Sequence, residues 1–385
     1  MLPPIEAAAA QTPALTSPRS QTAPVPSKAE IQAALPSNSF DRSLSTALAY
    51  TAFSVVATLV PGVLAWLFLP VAWAWAPVWA AYILWTGTMA CGVWVIAHEC
   101  GHDAFCDNKR LQNGVGFVLH SALLVPYYSW QRSHAIHHAK TNHLDEGETH
   151  VPKRADTPAG QRALRSRRRL GPIAHATLSI IGRLGFGWPV YLITGTTGGP
   201  HRGATNHFWP FAPFSKALFP ARWAKRVLAS AGGVLTVAAL LVTWAVVGGS
   251  VAQVGLLYVG PYLVCNGWLV TYTWLHHTSA DTPHYEDEEW SYVRGAFCSI
   301  DRPYGRFLDL AHHHIGSTHA AHHLFARIPH YRAVAATEAL RVTYPELYRF
   351  DPTPVPVALW QVAKECVAVT PDENAEGDGW RYTDH

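Results

Sequence analysis

Val95-Ile-Ala-His-Glu-Cys-Gly-His-Asp103 stands where a long apolar run gives way to polar sequence. His98 and His102 are four residues apart, so on an α-helix both imidazoles leave the same face, one turn apart. Imidazole is a common metal ligand in proteins. The stretch therefore predicts an apolar helix whose polar end carries two candidate metal ligands.

Two further histidine clusters follow along the sequence. They are His134-Ala-Ile-His137-His138 and His319-Ala-Ala-His322-His323. In each cluster the histidines occupy positions i, i+3 and i+4, which share one face of a helix. The three clusters together offer eight imidazoles, more than one metal ion uses. We therefore predict a two-metal centre.

The composition is that of a membrane protein. Of the 385 residues 49% are hydrophobic and only 14% are charged, and the sequence includes 16 Trp and 15 Tyr. An ordinary soluble enzyme is less apolar and less aromatic. The net charge of +3 is too small to indicate a nucleic-acid partner, and none is expected. The six cysteines contain no CxxC pair and indicate no disulfide framework.

Four apolar runs are long enough to cross a bilayer, since about 20 residues suffice. They cover residues 46–70, 71–97, 227–247 and 251–275, and short links join them into two hairpins. Residues 174–194 are interrupted by Arg183 and Pro189. They could form a further span, but we favour a segment in or against the membrane interface. Residues 1–36 lack apolar periodicity and are expected to form a disordered tail, with a transit peptide as the second interpretation. The rest, residues 37–385, is expected to form one domain.

The number of predicted membrane crossings agrees with a single site shared by the three histidine clusters. The first two histidine clusters follow the second run and the third cluster follows the fourth run, so an even number of crossings precedes each cluster. All three then lie on one side of the membrane. A basic stretch, residues 153–169, indicates that this side is the cytosol, because cytoplasmic loops are enriched in Lys and Arg.

Imidazoles alone do not name the metal, because they suit iron, zinc, copper and nickel. His98 and His102 also fit the HExxH pattern of zinc metalloproteases, with Glu99 as general base. A membrane metalloprotease would leave the other two clusters without a role. A metal transporter would carry ionisable residues within its spans, and these spans contain almost none. Scattered structural histidines would fit any one cluster, but they fit three clusters of the same spacing poorly.

From about Ile31 onward the protein resembles the membrane fatty acid desaturases, most closely the Δ12 (ω6) oleate desaturases of the endoplasmic reticulum. His98-Glu-Cys-Gly-His102, His134-Ala-Ile-His-His138 and His319-Ala-Ala-His-His323 resemble the three histidine boxes of that family. The stretches Leu119–Tyr127 and Gly187–Leu192 also look like family signatures. The resemblance implies an all-α membrane protein, with four transmembrane helices in two hairpins and a cytosolic helical cap that holds a di-metal site.

The resemblance also implies a set of metal ligands. Family members use one more histidine just after the last span, and His277 is the best match here. The implied ligands are His98, His102, His134, His137, His138, His277, His319, His322 and His323. They would hold two iron ions that activate O2 and insert a cis double bond into a lipid-linked acyl chain. His313, before the third box, is expected either to orient ligands or to lie on the surface.

The electrons must come from another protein. The sequence has neither the GxGxxG nucleotide motif after a strand nor the His-Pro-Gly-Gly motif of desaturases that are fused to cytochrome b5. The resemblance implies cytochrome b5 and its NADH-dependent reductase as partners, a phospholipid-linked oleoyl substrate, and a multi-pass location in the endoplasmic reticulum membrane with the active site facing the cytosol. The ω3 position and hydroxylase, conjugase or acetylenase outcomes stay open.

Overall fold

The computed structural model describes residues 24–372 and 379–382, and within them the protein is mostly helical. The first eight helices are α1 (Lys28–Ala34), α2 (Leu44–Phe68), α3 (Ala76–Gly101), α4 (Lys109–Ala122), α5 (Tyr127–Ala139), α6 (Pro158–Leu170), α7 (Pro172–Gly182) and α8 (Trp188–Thr194). The later eight are α9 (Ala224–Thr243), α10 (Val251–Val254), α11 (Gly260–His277), α12 (Tyr292–Phe297), α13 (Arg306–Ala311), α14 (His319–Leu324), α15 (His330–Thr343) and α16 (Val355–Glu365). The expected helical membrane protein with several apolar helices is confirmed.

Short strands and turns complete the described part of the protein. Strand β1 (Ile300–Asp301) pairs in parallel with β2 (Arg349–Phe350), and β3 (Val369–Pro371) pairs antiparallel with β4 (Trp380–Tyr382). Single π-helical turns extend three of the apolar helices, at Arg183–Gly187, Trp244–Gly248 and Gly255–Val259. Short 3-10 turns cover Trp73–Trp75, Pro200–Arg202 and Ala221–Trp223.

In the described part of the sequence, five helical stretches are long and apolar enough to cross a membrane. They are Leu44–Phe68, Trp73–Gly101, Pro172–Thr194, Ala221–Gly248 and Val251–His277. Four of them coincide with the predicted spans 46–70, 71–97, 227–247 and 251–275. The additional stretch contains the segment that we expect at the membrane interface. Length and apolar character do not distinguish a helix that crosses the bilayer from one that lies along its surface.

Helix α3 is the central helix of the bundle and carries the first histidines at its end. It packs between α2 and α11, and its side chains from Met89 to Cys100 are buried. Gly92 permits a close approach, since a Cβ atom there would overlap the carbonyl oxygen of Ala311. The polar end of α3 is therefore held tightly against the segment that precedes the third histidine cluster.

The third cluster lies on a helix that is too short to be stable by itself. The buried carboxylate of Asp301 holds its start by accepting hydrogen bonds from the backbone N–H of Ala320 at 2.9 Å and from the Tyr348 hydroxyl at 2.8 Å. Burial raises the pKa of Asp301 to about 6. These contacts fix α14 in the tertiary structure, so packing and not helix propensity determines where its histidines point.

The N-terminal boundary differs from the prediction. Helix α1 lies inside residues 1–36, which we expected to be a disordered tail. Ser27 and Glu30 form a reciprocal capping box at its start, and the fully buried Ile31 packs against the region around α15. A seven-residue helix with one buried apolar side chain has too little periodicity to be recognised in the sequence. Residues 1–23 of the expected tail lie outside the described residues.

Candidate metal centre

The nine histidines implied as ligands converge on one region. They come from four helices that are far apart in sequence: His98 and His102 at the end of α3, His134, His137 and His138 on α5, His277 at the end of α11, and His319, His322 and His323 on α14. On α3, α5 and α14 the spacing of three or four residues turns the imidazoles to one side, as the sequence predicts.

The imidazoles form two groups. The first group, in which the ligand nitrogens lie within 4.8 Å of one another, contains His98, His102, His134, His138 and His322. The second group contains His137, His277 and His323 by the same measure. His319 joins the second group, because its Nε2 atom lies 3.0 Å from the Nε2 atoms of both His277 and His323.

The spacing of the nitrogens fits metal ligation. Nε2 atoms face each other at 3.0 Å in His98 and His134, 3.1 Å in His138 and His134, and 3.1 Å in His137 and His277. Nitrogens that each lie about 2.0–2.1 Å from one shared ion are separated by about 3 Å. Hydrogen bonding between imidazoles would require alternating donors and acceptors, whereas several Nε2 atoms meet here at once. The two groups could therefore hold two metal ions.

The environment keeps these imidazoles neutral, which is the form that binds metal. Burial lowers the pKa of His102 to about 3 and that of His137 to about 4. The pKa values of His134, His138 and His322 also lie well below the ordinary value, first through burial and then through neighbouring histidines. Losing hydration disfavours the charged imidazolium, so at neutral pH the nitrogen lone pairs are free for a metal.

Hydrogen bonds on the outer side fix the orientation of two of the rings. His137 donates from Nδ1 to the carbonyl oxygen of Glu148 at 2.7 Å. The Thr141 hydroxyl lies 2.9 Å from Nδ1 of His323 and donates its proton to the carbonyl oxygen of His137 at 2.8 Å. Its oxygen therefore accepts from His323. Both rings then carry the proton on Nδ1 and direct the lone pair of Nε2 inward, which is a common arrangement around metal-binding histidines.

These outer contacts could not be predicted from the sequence. Glu148 is held by the Tyr191 hydroxyl at 2.8 Å and by an ion pair with Arg202, and all three side chains are buried. Neither Thr141 nor Glu148 stands at a spacing that would identify it, because each partner comes from a different part of the sequence. The sequence offers one weak signal: the stretch after the second histidine cluster contains more polar side chains than an amphipathic helix would, which indicates that some of them have specific partners.

The histidines before the third cluster have structural partners. His313 is buried, and its Nε2 atom lies 2.8 Å from the Ser54 hydroxyl, so the surface alternative for His313 is wrong. His312 bridges the Tyr272 hydroxyl at 2.7 Å and the carbonyl oxygen of Thr88 at 2.8 Å. These histidines connect the segment before α14 to the apolar helices. They support the position of the third cluster from outside the two groups.

The geometry around Glu99 does not match a metalloprotease. Its carboxylate accepts a hydrogen bond from the backbone N–H of His330 at 2.9 Å and lies 3.5 Å from Nδ1 of the same residue. A general base must reach the reacting water at the metal. Glu99 instead anchors the start of α15, while its neighbour His98 turns toward the first group. The HExxH match is therefore a consequence of the histidine spacing alone.

A cavity of about 540 Å³ opens beside the two groups. His134, His137, His277 and His319 form part of its lining. Aromatic and aliphatic side chains form most of the wall, among them Trp94, Trp130, Trp188, Leu269 and Val270. A mostly apolar cavity of this size suits a small-molecule ligand. An apolar chain in this cavity would lie directly against the candidate metal centre.

Comparison with known proteins agrees with this arrangement. Residues 73–353 match the model of the fatty acid desaturase family. The protein is 43% identical to a Δ12-oleate desaturase of Trichosanthes kirilowii over 300 residues, which cover 78% of each of the two sequences. It is 38% identical over 365 residues to an endoplasmic reticulum ω6 fatty acid desaturase of Glycine max, covering 92% of this protein and 90% of the relative. It is 37% identical over 362 residues to a Δ12 fatty acid desaturase of Arabidopsis thaliana, covering 91% and 89%.

Proposed function

The protein belongs to the fatty acid desaturase family, and we propose that it introduces the cis Δ12 double bond that converts lipid-linked oleoyl groups to linoleoyl groups. The observation that carries this proposal is the convergence of nine histidines in two groups, four of which line an apolar cavity. The names of the similar proteins support the Δ12 position. No observation on the described residues favours the ω3, hydroxylase, conjugase or acetylenase outcomes.

We assign the two groups to two iron ions, with five imidazoles for one ion and four for the other. When bound, the di-iron centre supplies the O2-dependent oxidation that removes two hydrogens from the acyl chain. The residues of this protein hold and orient that centre. The neutral imidazoles offer their Nε2 lone pairs, and Thr141 and the Glu148 carbonyl fix two of the rings. The apolar wall excludes water and positions the acyl group, because the methylene groups in the middle of a fatty acid offer no polar atom for recognition.

We further propose four membrane spans, with Pro172–Thr194 lying along the membrane interface. Ala176 packs in one cluster with Trp274 and Leu275, next to the histidine end of α11. Trp188 packs against Trp94, one turn before His98 on α3, with ring centroids 6.3 Å apart. Both ends of the segment thus meet the histidine-bearing ends of other helices. If the segment crossed the bilayer, Ala176 and Trp188 would lie at different depths in the membrane, so they could not both contact the histidine-bearing ends.

Four spans place the three clusters on one side of the membrane, and we propose that this side is the cytosolic face of the endoplasmic reticulum. The basic helix α6 carries Arg162, Arg165, Arg168 and Arg169 on its exposed surface, in agreement with a cytosolic position.

We propose NADH as the source of electrons, delivered through cytochrome b5 reductase and cytochrome b5 as a separate partner. The absence of a nucleotide motif and of a haem motif in the sequence supports an external donor.

The test is the fatty acid profile of a cell that makes oleate but no polyunsaturated acids. Expression of the protein should produce linoleate, detected by gas chromatography and mass spectrometry. His322→Ala should produce none, while His201→Ala, which changes an exposed histidine outside the two groups, should behave as the unsubstituted protein. A hydroxylated, conjugated, acetylenic or ω3 product would contradict the Δ12 assignment. Zinc in the purified protein in place of iron would contradict the di-iron assignment.

A further inference from the structure

Arg183 is a cation in an apolar environment. It opens the π-helical turn between α7 and α8, lines the cavity, and places its guanidinium 4.4 Å from the centre of the Trp274 ring. Within residues 24–372 and 379–382, no carboxylate forms an ion pair with it. A cation–π contact offsets only part of the loss of hydration. An anionic ligand that pairs with the guanidinium would compensate for the rest of this loss.

Lys153 lines the same cavity. No carboxylate of the described residues pairs with it either, and the residue is exposed. Arg154 provides the contrast, since it lines the cavity but is paired with Glu286 at 2.7 Å and stacks on the Trp380 ring at 4.0 Å. Among the described residues, a carboxylate thus pairs with one of the three Lys and Arg side chains that line the cavity, and an external anion would pair with the other two.

The opening of the cavity combines these cations with exposed apolar side chains. Phe186 and Val190 also line it, and they are 64% and 44% exposed. The lining also includes buried histidines, among them His137 and His277. The opening thus carries cations and apolar groups, the wall is apolar, and the buried lining contains candidate metal-binding histidines. This arrangement fits an amphiphile whose anionic group stays at the opening while its apolar tail enters the cavity.

We propose that Arg183 and Lys153 form a binding site for the phosphoryl group of the glycerophospholipid whose acyl chain occupies the cavity. The inference rests on the proposed function, because it assumes that the cavity holds the reacting acyl group. A guanidinium suits this role, since it donates two parallel hydrogen bonds to a phosphate. The exposed Phe186 and Val190 favour a lipid that remains in the bilayer over a water-soluble acyl thioester. Arg183 and Lys153 are positioning residues, which set how deeply the acyl group enters.

The test compares two substrates that differ in the phosphoryl group. Membranes from a host that makes oleate but no polyunsaturated acids, expressing the full-length protein, receive NADH and labelled dioleoylphosphatidylcholine or dioleoylglycerol in equal amounts. The unsubstituted protein should convert the phospholipid faster. In Arg183→Met this preference should fall by about tenfold, because hydrogen bonds to a charged group are lost. Arg183→Lys should restore part of it, and Arg168→Met, on the exposed surface of α6, should leave it unchanged.

The ratio of the phospholipid rate to the diacylglycerol rate distinguishes a loss of phosphoryl binding from a general loss of enzyme structure. If Arg183→Met lowers both rates equally, the residue is structural and the phosphoryl site is wrong. If the unsubstituted protein prefers added oleoyl thioester to both lipids, the assignment to a phospholipid is wrong. If the unsubstituted protein converts none of the three substrates, the proposed function itself fails, and the inference fails with it. A selective loss for the phospholipid alone supports the site.

Discussion

The Thr141 hydroxyl gives a sharp test of the metal centre. Thr141→Val keeps the shape of the side chain but removes the acceptor for Nδ1 of His323, a contact of 2.9 Å in a buried position. Leaving that donor unsatisfied costs about 1–3 kcal/mol. The substitution destabilises the tautomer of His323 that carries the proton on Nδ1 and directs the Nε2 lone pair inward. The tautomer with the proton on Nε2 therefore becomes more populated. Loss of such an outer partner lowers metal affinity about 10–100-fold, which corresponds to about 1.4–2.8 kcal/mol.

The assay is the iron content of the purified protein after equilibration with increasing concentrations of a chelator, measured by mass spectrometry of the metal. Thr141→Val should lose iron at a chelator concentration about ten to a hundred times lower than the unsubstituted protein. Thr141→Ser retains the hydroxyl and should bind iron almost normally. Equal iron retention by the folded Val variant would refute the assignment of His323 as a ligand that Thr141 orients.

Three further outcomes are expected. His137→Ala should abolish linoleate formation and reduce bound iron while the protein still inserts into membranes; full activity would rule out its assignment as a ligand. Gly92→Ala should lower the midpoint of thermal unfolding, because its Cβ would overlap a neighbouring carbonyl, whereas Gly232→Ala has open space and should be neutral or stabilising by up to about 1 kcal/mol; equal midpoints would argue against the close contact. Burial lowers the pKa of His207 from 6.5 to about 3, so the unfolded state binds more protons between these values and the free energy of unfolding should fall as the pH drops below 6.5. A thermal midpoint that stays constant from pH 7 to pH 5 would contradict this.

The histidine clusters were predictable because their ligands lie three or four residues apart. That spacing alone turns the imidazoles of a cluster to one side of a helix. The structure then brings one member of each cluster, His98, His134 and His322, into the same group. His277 is different, since a single histidine at the end of α11 has no periodic partner. Only the resemblance to the desaturase family identified it, and the structure places it beside His137.

The outer contacts could not be predicted from local sequence. Thr141 reaches His323 across 182 positions, and no periodicity connects them. The hydropathy of residues 172–194 reports only length and apolar character, whereas the contacts of this segment with α3 and α11 appear only in the folded structure. Ile31 shows the same limit on a small scale, because its burial depends on α15 and not on its own neighbours.

The positions of the nine histidines along the sequence also set the order in which they are synthesised. His98 is made after two apolar helices, but His323 is made only when most of the 385 residues have been translated. A nascent polypeptide that ends before α14 contains five members of the cluster from α3 and α5, and His277 once α11 has been made. Neither group is complete at that stage. If these histidines hold the metal as proposed, the complete site exists only after α14 has been translated, when the apolar helices that precede it have already been made.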